Sequence, residues 1–138
     1  MDTNSSRNTA SIRESPEEPL TGVSVSICIV TYHARDLLHD CLESLYAGTS
    51  LDPEIIVVDN GSKDGVGEML ATNFPQAYFV ENDRNLGYTQ PMNQALRAGS
   101  GRYLLQLNPD TLILPGAIDR LVEYLESHPE VGICGPKV

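Results

Sequence analysis

The sequence predicts an α/β fold in which a mostly parallel, Rossmann-like sheet carries helices on both faces. Short, nearly continuous apolar runs alternate along the chain with segments whose apolar residues repeat at helical spacing. This order of strand, helix and strand is typical of βαβ units, whose strands are parallel. Because such crossovers are right-handed, we expect the helices to cover both faces of one sheet.

Apolar and β-branched runs predict the strands. Their length and their lack of polar alternation suit strands that are covered on both faces. The first run, SVSICIVT, ends in a threonine, and the second run, EIIVVD, ends in an aspartate. The predicted strands are residues 24–31, 54–59, 77–81, 102–107 and a short fifth run at 131–134.

Segments between these runs predict four helices. Ser62 is expected to cap the second helix. The third begins at residue 89 or 90, with Pro91 in its first turn, and the fourth begins at Pro115. The first helix has an apolar face formed by Leu37, Leu38, Cys41, Leu42 and Leu45.

Residues 1–21 differ from the rest of the chain. They are polar, contain two prolines and show almost no apolar periodicity, which is typical of disorder. We therefore predict a disordered polar tail at 1–21 and a folded domain at 22–138.

Charge and composition exclude several classes of function. Nine Lys and Arg residues stand against 19 Asp and Glu residues, and this acidic balance argues against broad nucleic-acid binding. No apolar stretch approaches the roughly 20 residues of a membrane span, and the sequence lacks a secretory signal. We therefore expect a cytoplasmic protein. The three cysteines are far apart and form no CxxC pair, so we expect them to be reduced core residues.

Polar side chains follow each of the first four predicted strands. The strands lead into Thr31-Tyr32, Asp59-Asn60, the loop containing Asn85 and Gly87, and Asn108-Pro109-Asp110. In parallel sheets, ligands bind at the carboxyl ends of strands, near a switch in strand order. The sequence therefore predicts a site for a polar ligand at this edge.

Asp59 and Asp110 each allow two interpretations from spacing alone. Asp59 could accept a hydrogen bond from a base or a ribose, or it could cap the turn that follows. Asp110 could hold Mg²⁺ or Mn²⁺, which prefer carboxylate oxygens and share their coordination with phosphates. An ordinary Asn-Pro-Asp turn would explain the same residues.

Residues 23–138 resemble the N-terminal half of inverting glycosyltransferases of family 2, which have the A-type fold. The segments that carry the resemblance are VSVSICIVTYHARDLLHDCLESL, EIIVVDNGSKDG and ENDRNLGYTQPMNQALRAGSGRYLLQLNPDTLILPGAI. LNPDT is similar to the DxD motif of the rhamnosyltransferase-type branch, whose donors are often dTDP-rhamnose. The resemblance implies transfer of a sugar from a UDP- or dTDP-sugar to a glycan or lipid-linked acceptor.

The resemblance also implies roles for single residues. Thr31 and Tyr32 would line the nucleoside pocket, Asp59 would bind the uracil or thymine ring, and Asn108 would contact ribose or sugar. Asp110, at the last position of DxD, would hold Mg²⁺ or Mn²⁺. The expected nucleotide-sugar site comprises Thr31, Tyr32, Asp59, Asn60, Asn85, Gly87 and Asn108.

Two features separate this chain from the family pattern. His33 replaces the usual Asn after Thr-Tyr, and Gln90-Pro91-Met92 replaces a small, Gly-rich stretch. The family's catalytic base normally lies beyond position 138, so no catalytic residue is assigned and the chain is expected to be a truncated domain. The full-length protein would act at the cytoplasmic face of the inner membrane.

Two other classes of function remain open. The chain could be a truncated, non-catalytic module that binds a nucleotide or a partner, and the missing base favours this interpretation. It could also be a nucleotidyltransferase, although the basic Gly-rich loop that such enzymes use on triphosphates is absent. Release of nucleoside diphosphate would indicate a sugar transferase, and metal-dependent nucleotide binding without release would indicate a binding module. Release of pyrophosphate from a nucleoside triphosphate would indicate a nucleotidyltransferase.

Overall fold

The computed structural model describes residues 24–137, which form a four-stranded parallel sheet and four helices. The sheet has the order β3-β2-β1-β4. The predicted tail at 1–21 lies outside the described residues. The elements in chain order are β1 (Val25–Thr31), α1 (Arg35–Gly48), β2 (Glu54–Asp59), α2 (Val66–Asn73), β3 (Tyr78–Glu81), α3 (Thr89–Ala98), β4 (Tyr103–Leu107) and α4 (Ala117–Ser127).

Two apolar layers hold the sheet between its helices. On one face, alternate residues such as Ile27, Ile29 and Val57 pack against α1, α2 and α4. On the other face, Cys28, Val30, Ile56 and Val58 pack against Met92 and Ala95 of α3. Successive side chains of a strand point to opposite faces, so each face presents its own apolar set to the helices. Burying one such aliphatic side chain contributes roughly 1.5–3 kcal/mol, which stabilises the helices on the two faces. The predicted α/β fold with helices on both faces is confirmed.

Helix α1 confirms most of its predicted apolar face. Leu38, Cys41, Leu42 and Leu45 are fully buried against the sheet, as their helical spacing requires. Leu37, which was predicted with them, is 53% exposed in the first turn of the helix. The buried stripe is therefore narrower than the apolar pattern suggested.

Two predicted helix starts differ from the structure. Helix α2 begins at Val66 after Gly65, whose φ of 82° is left-handed, and Asp64 Oδ1 accepts from Val66 N at 3.3 Å. Ser62 is not its cap, because the Ser62 hydroxyl donates to Asp59 instead. Helix α4 begins at Ala117, two residues later than predicted, after a left-handed glycine.

The predicted fifth strand at 131–134 is not formed. Val131 N donates to His128 O at 2.9 Å, which closes a turn directly after α4. Ile133 is 92% exposed, and the run is flanked and interrupted by Gly132 and Gly135. Glycine weakens strands because it has no side chain to pack, so this short apolar run does not form a strand.

The cysteines form no disulfide. Cys28 and Cys41 are buried and free, and burial raises the pKa of each thiol to about 11. Cys134 is free and half-buried, although it lies in irregular backbone rather than in a strand. No helix within residues 24–137 is long and apolar enough to cross a membrane.

Glu54 fastens the amino end of the sheet. Its Oε2 accepts from the Ser26 hydroxyl and from Ser100 N, the latter at 2.9 Å, while Gly101 N donates to Ser26 Oγ at 2.8 Å. A Cβ on Gly101 would lie 2.6 Å from Ser26 N, so only glycine allows this approach. These hydrogen bonds, those from Ser100 first, lower the pKa of Glu54.

Candidate nucleotide site at the carboxyl edge of the sheet

The predicted site residues lie at one edge of the sheet because the strands are parallel. The strand order reverses at β1, with β2 and β3 on one side and β4 on the other. Thr31 pairs with Asp59 in the register of β1 and β2, and Ile29 pairs with Leu107 of β4. The carboxyl ends of β1 and β4 thus flank the switch point, where open α/β sheets bind ligands.

Thr31 ends β1 with an unsatisfied polar group. Its side chain is fully buried, and its hydroxyl has no hydrogen-bond partner among the described residues. Tyr32 follows with 46% of its surface exposed, and its ring packs on His33 with centroids 4.2 Å apart. The end of β1 therefore combines a buried hydroxyl that has no partner among the described residues with an exposed aromatic ring.

The Asp59 carboxylate is fully buried and holds the turn that follows β2. Its Oδ2 accepts from Ser62 N at 3.0 Å, and its Oδ1 accepts from the Ser62 hydroxyl. Ser62 Oγ in turn accepts from His33 N at 2.8 Å. The turn role considered from sequence is present, and each carboxylate oxygen retains capacity for a further hydrogen bond.

His33 has left-handed backbone geometry, with φ at 51°. Non-glycine residues rarely adopt this region, although Asn, Asp and His are enriched there. Histidine can therefore take the place of the Asn that was expected after Thr-Tyr. The hydrogen bond from His33 N to Ser62 Oγ helps to hold this backbone conformation. An open depression of about 420 Å³ borders this edge and is lined by residues 33–37 and Asp64.

Asn60, Asn85 and Gly87 form one hydrogen-bonded unit. Asn60 Nδ2 donates to Asn85 Oδ1 at 2.9 Å and to Gly87 O at 2.8 Å. Asn60 Oδ1 accepts from Leu86 N at 2.9 Å. Asn60 is buried, whereas Asn85 and Gly87 are exposed, so the unit joins the end of β2 to the surface loop before α3.

Asn108 and Asp110 form the turn after β4, and both are exposed. Thr111 N donates to Asn108 O at 3.3 Å, and Cys41 Sγ lies 3.8 Å from the same oxygen. Among the described residues, no hydrogen bond or ion pair occupies the Asp110 carboxylate. Burial, and to a lesser degree the charge on Asp110, raises the pKa of Cys41, the α1 residue whose thiol faces this turn.

The donor set at Asp110 suits a divalent cation that is completed by a ligand. A single exposed carboxylate leaves most coordination positions to water and phosphate oxygens, as Mg²⁺ sites commonly do. Within residues 24–137, only His39, Asp40 and Glu43 bring three possible metal-ligating side chains together. That group is on α1, and two of its members are exposed acids.

Sequence reasoning missed the part played by Ser62. It links the Asp59 carboxylate to the backbone of His33, and thus joins the ends of β1 and β2. The spacing Asp-x-x-Ser was the available signal, because an aspartate often accepts from residues that follow it in a turn. The close approach of the Arg84 backbone to Gly61 was also not predicted.

An open parallel α/β sheet with helices on both faces and polar groups gathered at its carboxyl edge defines a class of ligand-binding α/β folds. The sequence profile described as Glycosyl transferase family 2 matches residues 26–138. The chain therefore belongs to glycosyltransferase family 2.

Curated relatives are longer than this chain. It is 30% identical over 118 residues to the amylovoran biosynthesis glycosyltransferase AmsE of Erwinia amylovora, covering 83% of this chain and 44% of that protein. It is 28% identical over 123 residues to N-acetylglucosaminyl-diphospho-decaprenol L-rhamnosyltransferase of Mycobacterium tuberculosis, covering 81% and 40%. The chain thus spans less than half the length of these relatives.

A solved structure confirms the A-type glycosyltransferase fold expected from the resemblance. The mannosyltransferase PcManGT from Pyrobaculum calidifontis, in complex with GDP-Man and Mn²⁺, superposes with a TM-score of 0.66 and 25% identity. The match covers 73% of this chain and 32% of that chain. The superposed part of this chain therefore corresponds to about a third of that mannosyltransferase.

Proposed function

We propose that this chain is the donor-binding part of an inverting glycosyltransferase. It takes a UDP- or dTDP-sugar as donor, rhamnose being one candidate, and passes the sugar to a glycan or lipid-linked acceptor. The observation that carries the proposal is the pairing of Thr31 and Asp59 at the carboxyl edge of the sheet. Thr31 offers a buried hydroxyl that has no partner among the described residues, and Asp59 offers a buried carboxylate.

The nucleoside is assigned to the ends of β1 and β2. A buried carboxylate beside an exposed aromatic ring suits a pyrimidine, because the ring N–H can donate to Asp59 while Tyr32 packs on its face. The hydrogen-bonded unit of Asn60, Asn85 and Gly87 would border this nucleoside site. A relative named as an L-rhamnosyltransferase supports a deoxysugar donor.

The diphosphate and sugar are assigned to the turn after β4. Asp110 would hold Mg²⁺ or Mn²⁺, and Asn108 would contact the ribose or the sugar. When bound, the cation offsets the charge that develops on the departing diphosphate. The Mn²⁺ in the complex of the mannosyltransferase supports this assignment. The Asp110 carboxylate orients the donor and does not act as a nucleophile.

We also assign the enzyme to the cytoplasm, at the inner face of the membrane where a lipid-linked acceptor would be presented. The three free cysteines support this compartment, because thiols persist where the environment is reducing. The acceptor site and the catalytic base are not assigned to any residue of this chain.

Calorimetric titration with UDP, dTDP and GDP, each with and without Mn²⁺, tests the proposed function. We expect UDP and dTDP to bind in a Mn²⁺-dependent manner, and GDP to bind at least about tenfold more weakly, a difference of about 1.4 kcal/mol. Equal affinity for GDP would overturn the pyrimidine assignment. An absence of binding by all three to a folded sample would overturn the donor-binding proposal itself.

The Asp59→Asn variant then tests how the base is recognised. An amide at this position presents a donor toward the pyrimidine N–H, so we expect the preference for UDP and dTDP over GDP to shrink. Asp52→Asn is the matched control, because Asp52 is exposed in the loop before β2, at the opposite edge of the sheet. If Asp59→Asn and Asp52→Asn both retained the full preference, Asp59 would serve the turn alone.

A further inference from the structure

Asn60 directs its entire side chain at the loop before α3. The residue is only 3% exposed, and it follows the last residue of β2. Its amide makes three hydrogen bonds, to Asn85 Oδ1, Gly87 O and Leu86 N. All three partners lie within residues 85–87, so one buried side chain fixes three consecutive loop residues.

The hydrogen-bonding capacity of this loop selects asparagine over aspartate. Asn60 Nδ2 has two hydrogens, and both are donated, at 2.9 Å to Asn85 Oδ1 and at 2.8 Å to Gly87 O. An aspartate would place an acceptor opposite these two acceptors, and would add a buried charge next to Asp59. Isosteric replacement by aspartate should therefore repel the loop rather than preserve it.

Backbone contacts bring the same loop against the turn after β2. A Cβ on Gly61, whose φ is 82°, would lie 2.7 Å from Arg84 Cα, so the two backbones touch. Asn82 N also donates to Asp59 O at 2.9 Å. The loop is thus anchored at its start by backbone and at its tip by Asn60.

The arrangement leaves only the amide nitrogen of Asn85 available. Asn85 Oδ1 is used twice, by Asn60 Nδ2 and by Gly87 N at 2.8 Å. Asn85 is exposed, and its Nδ2 makes no hydrogen bond among the described residues. Because its oxygen is held from within, the nitrogen is presented as a donor that a ligand can use.

We propose that Asn60 is a positioning residue that preorganises residues 85–87 for the donor. Its own amide makes no hydrogen bond to the ligand. The proposal rests on the proposed function for the identity of the ligand. Preorganisation matters because ordering a loop during binding would subtract from the affinity for the donor. Loss of Asn60 should weaken donor binding even though Asn60 does not touch the nucleotide.

Two variants test the proposal, with amide hydrogen exchange and dTDP–Mn²⁺ affinity as readouts. Asn60→Asp is expected to speed exchange at Gly87 about tenfold and to weaken binding about tenfold, while exchange in β1 and β2 stays unchanged. Asn85→Ala removes the partner from an exposed position, so the fold should persist and Gly87 should again exchange faster. Asn93→Asp is the control, because Asn93 is exposed on α3.

The two readouts separate the proposal from the proposed function. If the unchanged chain binds dTDP–Mn²⁺ and both variants bind equally well, the positioning role is overturned and the donor site stands. If exchange rises uniformly through the core, Asn60 is a general stability residue and the proposal is again overturned. If the unchanged chain binds no nucleotide while loop exchange still rises in Asn60→Asp, the donor assignment fails, and Asn60 is shown to order the loop for another purpose.

Discussion

Thr31 and Asp59 are register partners at the carboxyl ends of two neighbouring parallel strands, and both polar side chains are fully buried. Their surroundings differ, because Ser62 satisfies the Asp59 carboxylate whereas nothing among the described residues satisfies the Thr31 hydroxyl. Leaving a buried hydroxyl unpaired costs roughly 1–3 kcal/mol. A ligand that bonds this hydroxyl would recover that free energy on binding.

Thr31→Val should therefore stabilise the free chain and weaken the complex. The change keeps the side-chain shape and removes an unpaired polar group, so we expect the free energy of unfolding to rise by about 1 kcal/mol. Affinity for dTDP–Mn²⁺ should fall about tenfold. Chemical denaturation and calorimetry measure the two effects.

Thr49→Val is the matched control for this change. The Thr49 hydroxyl donates to Asp119, so its removal should lower stability by roughly 1–3 kcal/mol and leave nucleotide affinity unchanged. A loss of stability in Thr31→Val equal to that of Thr49→Val would mean that the Thr31 hydroxyl is satisfied in the free chain.

Asp110→Asn should remove the metal dependence of donor binding without unfolding the chain. Asp110 is exposed, and no ion pair or hydrogen bond of the described residues uses its carboxylate, so stability should change by less than about 0.5 kcal/mol. Calorimetry of dTDP with and without Mn²⁺ is the measurement. Asp52→Asn, at an exposed residue in the loop before β2, should keep the full Mn²⁺ response. A Mn²⁺ response that survives in Asp110→Asn would place the metal elsewhere.

Glu54→Gln should change how stability depends on acid. Hydrogen bonds from Ser100 and Ser26 lower the pKa of folded Glu54 below its ordinary value of 4.5. Because the pKa of Glu54 is lower in the folded chain than in the unfolded chain, its carboxylate stabilises the fold fully at pH values above the unfolded-state pKa. This stabilisation is lost as the pH falls through the folded-state pKa. Glu54→Gln should be less stable than the unchanged chain at pH 7, and the difference should shrink at acid pH. Urea unfolding at several pH values measures it, and a difference that is constant with pH would contradict the assignment.

Lys63→Asn should stabilise the turn between β2 and α2. Lys63 has φ at 54°, a left-handed conformation that costs a non-glycine residue on the order of 1 kcal/mol and that asparagine tolerates better. We expect the free energy of unfolding to rise by about 0.5–1 kcal/mol. Lys63→Gln removes the same charge and keeps the strain, so equal stabilisation by both variants would identify charge as the cause.

The sheet and the identity of its edge residues were predictable because they depend on local patterns. Four continuous apolar runs form parallel strands. Thr31 and Asp59 are the last residues of β1 and β2, and Asp110 lies in the turn after β4. Helix ends were less predictable, since Gly65 and Gly116 adopt left-handed conformations that the pattern of apolar residues does not encode. The run at 131–134 was apolar enough for a strand, but its glycines and exposed Ile133 left it without packing.

Most contacts inside the site could not be predicted because they join residues that are at least 25 positions apart in the sequence. Ser62 looks like a helix cap until the fold brings the His33 backbone N–H to its hydroxyl. Asn60 looks like a turn residue until the loop at 85–87 meets it. These contacts depend on strand order and register, which spacing along the chain does not specify.

The most direct test of the central claim is an amide NMR titration of this chain with dTDP, first with Mg²⁺ and then with Mn²⁺. We predict shifts at Thr31, Asn60 and Gly87 with Mg²⁺, and paramagnetic broadening by Mn²⁺ that centres on residues 108–111 and requires dTDP. Broadening confined to residues 39–43, without shifts at the ends of β1 and β2, would contradict a donor site at the carboxyl edge. That result would assign the metal to the exposed group on α1 instead.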